Sequence, residues 1–258
     1  MLNIALELRF SNRIVKSLVV QEDKMAQDFF SLLRSSLSDQ RFDSYRQSST
    51  DKDIDLLERY LWNIALCESL YPTLQNLEIA LRNNIYNAAT ISFNNPKWFD
   101  DPSILDIKEQ RNVNEAKYKI SNRDKLVTEG RVIAELTFGF WTSLFHSDYD
   151  RVFWNQGTLI KNAFPNMPNR IRNRSTLSRR FSALRILRNR VFHHEPIWNN
   201  PDLKNRYEDL TEALGWLNPA LRDVTKLMLD RFLHTYLEGS KPYREHLDTL
   251  LDDFNNAY

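Results

Sequence analysis

Apolar residues recur at three- and four-residue spacing along most of the chain, the period of a half-buried helix. Phe29, Phe30, Leu32 and Leu33 predict a helix from about Met25 to Leu37. Ser44–Lys52 is polar and reads as a loop. Thr50 or Asp51 is then the expected cap of a helix running to about Leu70, with Ile54, Leu57, Tyr60, Leu61 and Ile64 on its apolar face. Pro72 suits the first turn of a separate helix ending near Ile91. Asn94-Asn95-Pro96 breaks the pattern. Asp101 and Pro102 suggest a cap and first turn for a helix to about Ile120. Another is expected from Ser121 or Arg123 to Phe145, with Gly139 admitting a neighbouring helix. Short pieces over Phe153–Arg170 are interrupted by Pro165 and Pro168. A long helix starts at Ser175 or Thr176 and stops before Pro196, because residues preceding proline avoid the helical region. Two or three more follow, about Leu203–Trp216, Ala220–Leu237 and Tyr243–Asn255. Residues 1–23 give no clear element, and no interior strand is evident. The expected fold is all-α, with roughly eight to ten helices.

Composition agrees with that pattern. The chain has 258 residues, 42% hydrophobic and 27% charged, which excludes an intrinsically disordered protein. Only five are glycine. That argues against sandwiches, barrels and glycine-rich nucleotide loops, which need positive φ. Cys67 is the single cysteine, so neither an internal disulfide nor a cysteine-rich zinc site is expected. A reducing cytoplasm suits it. No apolar run approaches the ~20 residues of a membrane span. The opening Met1–Glu7 is too soon charged for a signal peptide.

Charge distribution adds more than the net charge of +1. From Arg151 to His194 there are ten Lys and Arg and no Asp or Glu. Removing those ten from the 35 Lys and Arg leaves 25 against 34 Asp and Glu. A basic segment is set in an acidic body. It suits a polyanion such as RNA. It equally suits an arginine-rich helix paired with acidic helices.

The chemistry concentrates at Arg185–Trp198. Asn189 and His193 are one helical turn apart, and Arg185 extends that face by another turn. Arg188 is one step around, within reach of the same space. Histidine moves protons near neutral pH. Arginine matches phosphate oxygens and stabilises charge in a phosphoryl-transfer transition state. RNA carries its own nucleophile, the 2′-hydroxyl, so this set asks for no metal and no cofactor. The competing reading is structural: histidines near a helix C-terminus favour its dipole. His193-His194-Glu195 makes a poor metal site, because adjacent helical histidines point apart. Glu78 and Arg82 form either an intrahelical ion pair or the border of the site, fixing Arg188 or His193. Phe138, Phe140, Trp141 and Trp154 read as core, and Trp198 as the better stacking candidate.

Arg188-Asn189-Arg190-Val191-Phe192-His193-His194-Glu195-Pro196 resembles the signature of the Abi-like (abortive infection) family within the HEPN superfamily of helical ribonucleases. Four further segments agree in order: Leu37–Phe42 through Tyr45, Tyr60–Asn63, Leu77–Asn83, and Glu135–Trp141 followed by Trp154. The resemblance covers about residues 36–215. It leaves 1–35 as an N-terminal extension to one HEPN-like domain over 36–258, with added C-terminal helices. It implies a helical domain that cuts RNA without metal. The catalytic set would be Arg188, Asn189 and His193, with His194 sharing proton transfer. It also implies a homodimer with a composite site.

Three functions follow. The first is a metal-independent endoribonuclease of the abortive-infection or toxin type, with Arg179, Arg180, Arg185 and Arg190 holding flanking phosphates. Its partners would be RNA, a second copy and a small regulatory RNA or antitoxin. The second is a module that holds a small structured RNA without cutting it. The third is an interaction protein with the basic segment buried in an assembly.

Overall fold

The computed structural model describes residues 29–155 and 158–257. The expectations for residues 1–23 lie outside them. Among the described residues there are helices, turns and loops and no strand, so the fold is all-α as expected. None of these helices is long and apolar enough to cross a membrane. The chain divides into two compact units, one drawing on residues up to 66 and from 234 onward, the other on 67–233. The boundary expected at residues 35–36 falls inside the first helix, α1, described over 29–37.

In the first unit, α1, α2 (Asp39–Asp43) and the start of α3 (Asp53–Phe93) are tied together by Arg34. Its guanidinium lies 2.7 Å from Asp53 and 3.0 Å from Asp39, and 4.7 Å over the ring of Phe42. Phe42 is fully buried. Neither Thr50 nor Asp51 caps α3. The Asp51 carboxylate is taken by the Gln47 and Ser48 N–H groups at 2.7 and 2.9 Å and by Arg59 at 2.6 Å. Those contacts, Arg59 first, hold its carboxyl well below the usual carboxylate range. Asp55 reaches back to the Lys52 N–H instead, at 2.8 Å, as in a capping box. The ends of α10 (Pro219–Glu238) and α11 (Lys241–Ala257) complete this unit. Arg244 joins them to α3 through Glu58 at 2.8 Å and through Asp55.

Two helices were expected where α3 is one, with Pro72 inside it. Proline has no N–H for the carbonyl of Glu68, which disfavours a helix interior. Packing overrides that loss: Leu70, Leu74, Leu77, Leu81 and Ile85 form one fully buried stripe that passes Pro72 without a break in register.

The second unit corrects three boundaries. Asp101 accepts from the N–H and hydroxyl of Ser103, closing a turn, and α4 (Ile107–Ser121) is capped by Asp106. The helix expected from Ser121 or Arg123 to Phe145 is two, α5 (Glu129–Glu135) and α6 (Phe138–Ser143). Leu136 turns extended at ψ 132°, and Thr137 caps α6 with its hydroxyl oxygen on the Phe140 N–H. An added Cβ at Gly139 would meet only Thr137, at 3.4 Å, so no neighbouring helix approaches there.

Aromatic rings fill this core. Trp98 packs against Trp141 and Phe153. Phe138, Phe140, Trp141 and Trp154 are buried, as expected. Phe145 stacks on Trp154 and on Phe181, each at 5.1 Å. Phe181 belongs to α8 (Arg174–Phe192), capped by Asn173 on the Thr176 N–H at 2.9 Å. Short α7 (Leu159–Ala163) precedes it, and α9 (Leu203–Leu217) packs against it.

Phe181→Ala is expected to cost about 3–5 kcal/mol of stability. Phe181→Leu should cost far less. Denaturant unfolding of both variants checks this, and equal losses would show that the ring stack does not anchor α8.

Candidate active site

The rotation of α8 decides what this site contains. Leu177, Phe181, Leu184, Leu187 and Val191 are buried along one stripe. Ser182, Arg185 and Asn189 are therefore carried outward and are exposed. His193 follows at the C-cap, with φ −95° and ψ 10°, and its N–H still bonds the Asn189 carbonyl at 2.8 Å. Asn189 and His193 thus stay one turn apart, as their spacing predicted.

The end of the helix is unusual. His194 has φ +59°, the left-handed conformation that normally belongs to glycine. Its N–H bonds the Val191 carbonyl at 3.3 Å, and the Glu195 N–H bonds the Arg190 carbonyl at 2.8 Å. These two bonds are the Schellman pair that closes a helix C-terminus. A non-glycine residue held there costs about 1–3 kcal/mol. Arg190 secures the turn: its guanidinium bonds the Pro196 carbonyl and lies 3.7 Å from Glu195. Beyond it Ile197 is fully buried and Trp198 half-buried. His193 and His194 are both exposed.

Arg188 turns the other way, toward α3. Its Nε lies 3.4 Å from the Glu78 carboxylate, an ion pair rather than a formed hydrogen bond. The guanidinium carbon sits 4.3 Å over the ring of Phe192. That ring in turn lies 5.2 Å from Tyr71 of α3. Tyr71 meets Phe192 and Glu78 meets Arg188, so the two helices run antiparallel here. Among the described residues no side-chain hydrogen bond engages Arg188: its Nε is buried against Glu78, and its two Nη groups have no hydrogen-bond partner.

Glu78 and Arg82 do not pair with each other among the described residues. Glu78 faces Arg188, and Arg82 donates to the Ala134 carbonyl at 3.4 Å. The intrahelical ion pair is thus not formed among the described residues, and Glu78 pairs with Arg188 instead.

The basic segment is divided. Arg179 and Arg185 are exposed. Arg180 lies 2.7 Å from Glu212 and 3.2 Å from Asp209 of α9, over the ring of Trp216. Arg172 bonds the Met167 carbonyl, and Arg174 bonds Asp150 at 2.7 Å. Arg172, Arg174, Arg180 and Arg190 therefore brace the fold, and the surface open to a polyanion is narrower than the sequence count suggests.

Tyr71 was missed. It is exposed, and its ring contact with Phe192 puts an aromatic surface beside the α8 end. Its spacing of seven from Glu78 is a signal for one shared face, readable only if α3 continues through Pro72. Cys67 is half-buried, and burial pushes its thiol up to about 11, which disfavours the thiolate. Among the described residues no group of three His, Cys, Asp or Glu side chains converges as a metal site would.

His194→Gly is expected to raise thermal stability by about 1 kcal/mol, by relieving the left-handed strain. Thermal unfolding checks the sign. A lowered midpoint would mean that the imidazole contributes more to the fold than its backbone strain removes.

The family model described as Abi-like protein matches residues 25–199, which include Glu78 and the whole run from Arg188 to His194. Searches of curated proteins and of solved structures give no match. The family match covers well over half of the sequence and ends just past the closing turn of α8, and on that basis the chain belongs to the Abi-like protein family.

Proposed function

We propose that this protein is an endoribonuclease of the abortive-infection type, cutting RNA without a metal ion as part of defence against phage. Family membership supports the defence role. The observation that carries the chemistry is the α8 end. Two exposed imidazoles and an exposed amide sit on the last turn, next to an arginine whose position a carboxylate sets. The resemblance to HEPN ribonucleases assigns the same residues.

The reaction would be transesterification. His193 takes the proton from a ribose 2′-hydroxyl, or gives one to the leaving 5′-oxygen, with His194 as its neighbour in the second role. The 2′-oxygen bonds to phosphorus as the bond to the 5′-oxygen breaks. Arg188 stabilises the charge gathering on the phosphorane oxygens. Asn189, stacked one turn before His193, orients the imidazole or the scissile phosphate. The products are a 2′,3′-cyclic phosphate and a 5′-hydroxyl. Glu78 is a positioning residue acting through Arg188. Arg179 and Arg185 are exposed and suited to flanking phosphates. Pairing of two α8 ends in a homodimer would bring two such sets together and double the local positive charge. Localisation in the cytoplasm fits a nuclease acting on cellular or phage RNA.

Incubation of purified protein with total RNA in EDTA tests this, with end-group analysis of the fragments. The wild type should leave cyclic-phosphate ends. Arg188→Ala and His193→Ala should each lower the rate by about 100-fold or more at unchanged folding. Full activity in both variants would remove these residues from the reaction. A discrete RNA bound by wild type and variants alike, with no cutting, would favour the non-cleaving RNA-binding module.

Glu78→Gln should reduce the rate less than Arg188→Ala, with KM nearly unchanged, as expected for a group that sets the pose of a transition-state partner. An effect on KM alone would point to simple RNA binding instead.

A further inference from the structure

A cleft of about 370 Å³ opens beside α8, upstream of the candidate active site. Ser178, Ser182 and Arg185 line it from α8, Glu109 and Lys108 from the first turn of α4, and Tyr149 from the turn before Asp150. On a helix, residues 178, 182, 185, 189 and 193 fall within an arc of about 80°. The cleft and the Asn189–His193 face therefore lie on one stripe. Arg185 precedes His193 by about 12 Å along the axis. A single extended strand of RNA could lie along this stripe with one nucleotide at each end.

Glu109 gives the cleft its chemistry. Its side chain is only 3% exposed, yet it carries a carboxylate. The Asn112 amide donates to Oε2 at 2.7 Å. The other oxygen, Oε1, has only the Lys108 ammonium at 4.0 Å, beyond hydrogen-bond range. The backbone holds the residue in place, since its N–H bonds the Asp106 cap at 2.8 Å. Oε1 thus faces the cleft as an acceptor with no donor within hydrogen-bond range among the described residues. Tyr149 is buried beside it, with its hydroxyl engaged by Asp106: the oxygen accepts weakly from the Asp106 N–H at 3.4 Å and lies against the Asp106 carboxylate. A fixed acceptor and two serine hydroxyls match the polar edge of a nucleobase. Arg185 at the exposed rim matches its phosphate.

We propose that this cleft is a nucleotide subsite that selects where RNA is placed for cutting, with Glu109 accepting from an exocyclic amino group of the base and Arg185 holding the adjoining phosphate. It rests on the ribonuclease reading above for its role, but not for its ligand chemistry. Amino-bearing adenine and cytosine fit the acceptor, and uracil, which has no exocyclic amino group, fits it poorly.

Fluorescence anisotropy with short 2′-O-methyl oligonucleotides of A, C or U tests binding without any cutting, because the nucleophile is blocked. The wild type should bind the A or C probe about tenfold more tightly than U. Glu109→Gln, which keeps an oxygen for Asn112 but adds a donor, should lose that preference. Ser182→Trp, at an exposed position that can take a large side chain without touching the core, should weaken binding by about tenfold. A Ser182→Trp variant that binds like the wild type, or a base preference that survives Glu109→Gln, would overturn the subsite. Adenosine and cytidine monophosphates are added as competitors. Displacement of the probe only by oligonucleotide supports the RNA assignment, whereas equal displacement by the mononucleotides overturns it in favour of a free nucleotide. Mapping of cut sites in natural RNA separates the two readings. Cutting with a site preference unmoved by Ser182→Trp removes the subsite and leaves the nuclease. Selective binding with no cutting removes the nuclease and leaves the subsite.

Discussion

Phe181 lies between Phe145 at 5.1 Å and Phe164 at 5.8 Å, deep in an aromatic core, and this contact fixes the rotation of α8 about its own axis. Everything proposed for the protein depends on that rotation. A helix with its Leu177, Phe181, Leu184, Leu187 and Val191 stripe inward has no freedom in where it places the rest. Asn189 and Arg185 must face outward, and Arg188, one step around, must meet α3. Ring stacking is well suited to the task. Large rigid side chains at high packing density tolerate little slippage, so a core of rings transmits orientation to the surface.

The far end of α8 shows the opposite physics. There the chain accepts local strain. His194 occupies a backbone conformation that glycine would adopt at lower cost, and two backbone hydrogen bonds together with the Arg190 brace hold it there. Strain retained in this way is a frequent mark of functional positions. Arg188 belongs to the same economy of charges. Four arginines of the basic segment are consumed by carboxylates or carbonyls that tie elements together. Arg188 instead faces one carboxylate at ion-pair distance with its hydrogen-bonding capacity unspent. Part of the segment thus braces the fold, as one of the two readings of the charge pattern had it, while Arg179 and Arg185 stay exposed.

Local sequence signals were reliable where one residue type dominates the outcome. α8 stops before Pro196 as expected, and the α9, α10 and α11 boundaries lie within a few residues of their predicted places. They failed where two signals competed. Pro72 argued for a break, but a leucine stripe in continuous register outweighed one missing hydrogen bond. The apolar run up to Phe145 argued for one helix, but Leu136 is buried with its backbone extended and Thr137 caps a second helix after it. Asp51 and Asp101 have the composition of caps, yet each found nearer backbone partners in its own turn. Tyr71 escaped notice for the same reason as the continuity of α3.

By itself the sequence determined the all-α class, the course of α8, and the cluster of arginine, asparagine and histidine at its end. These follow from helical periodicity and from short-range spacing, which act within a few turns of one helix. Only the tertiary structure decided the partners of that cluster. Glu78 chose Arg188 over Arg82, Arg180 turned to α9, and Glu109 came to line a cleft with residues of α8 far along the chain. Such choices depend on which helices pack together, and that is set by the shared filling of a core, a constraint that no local spacing encodes.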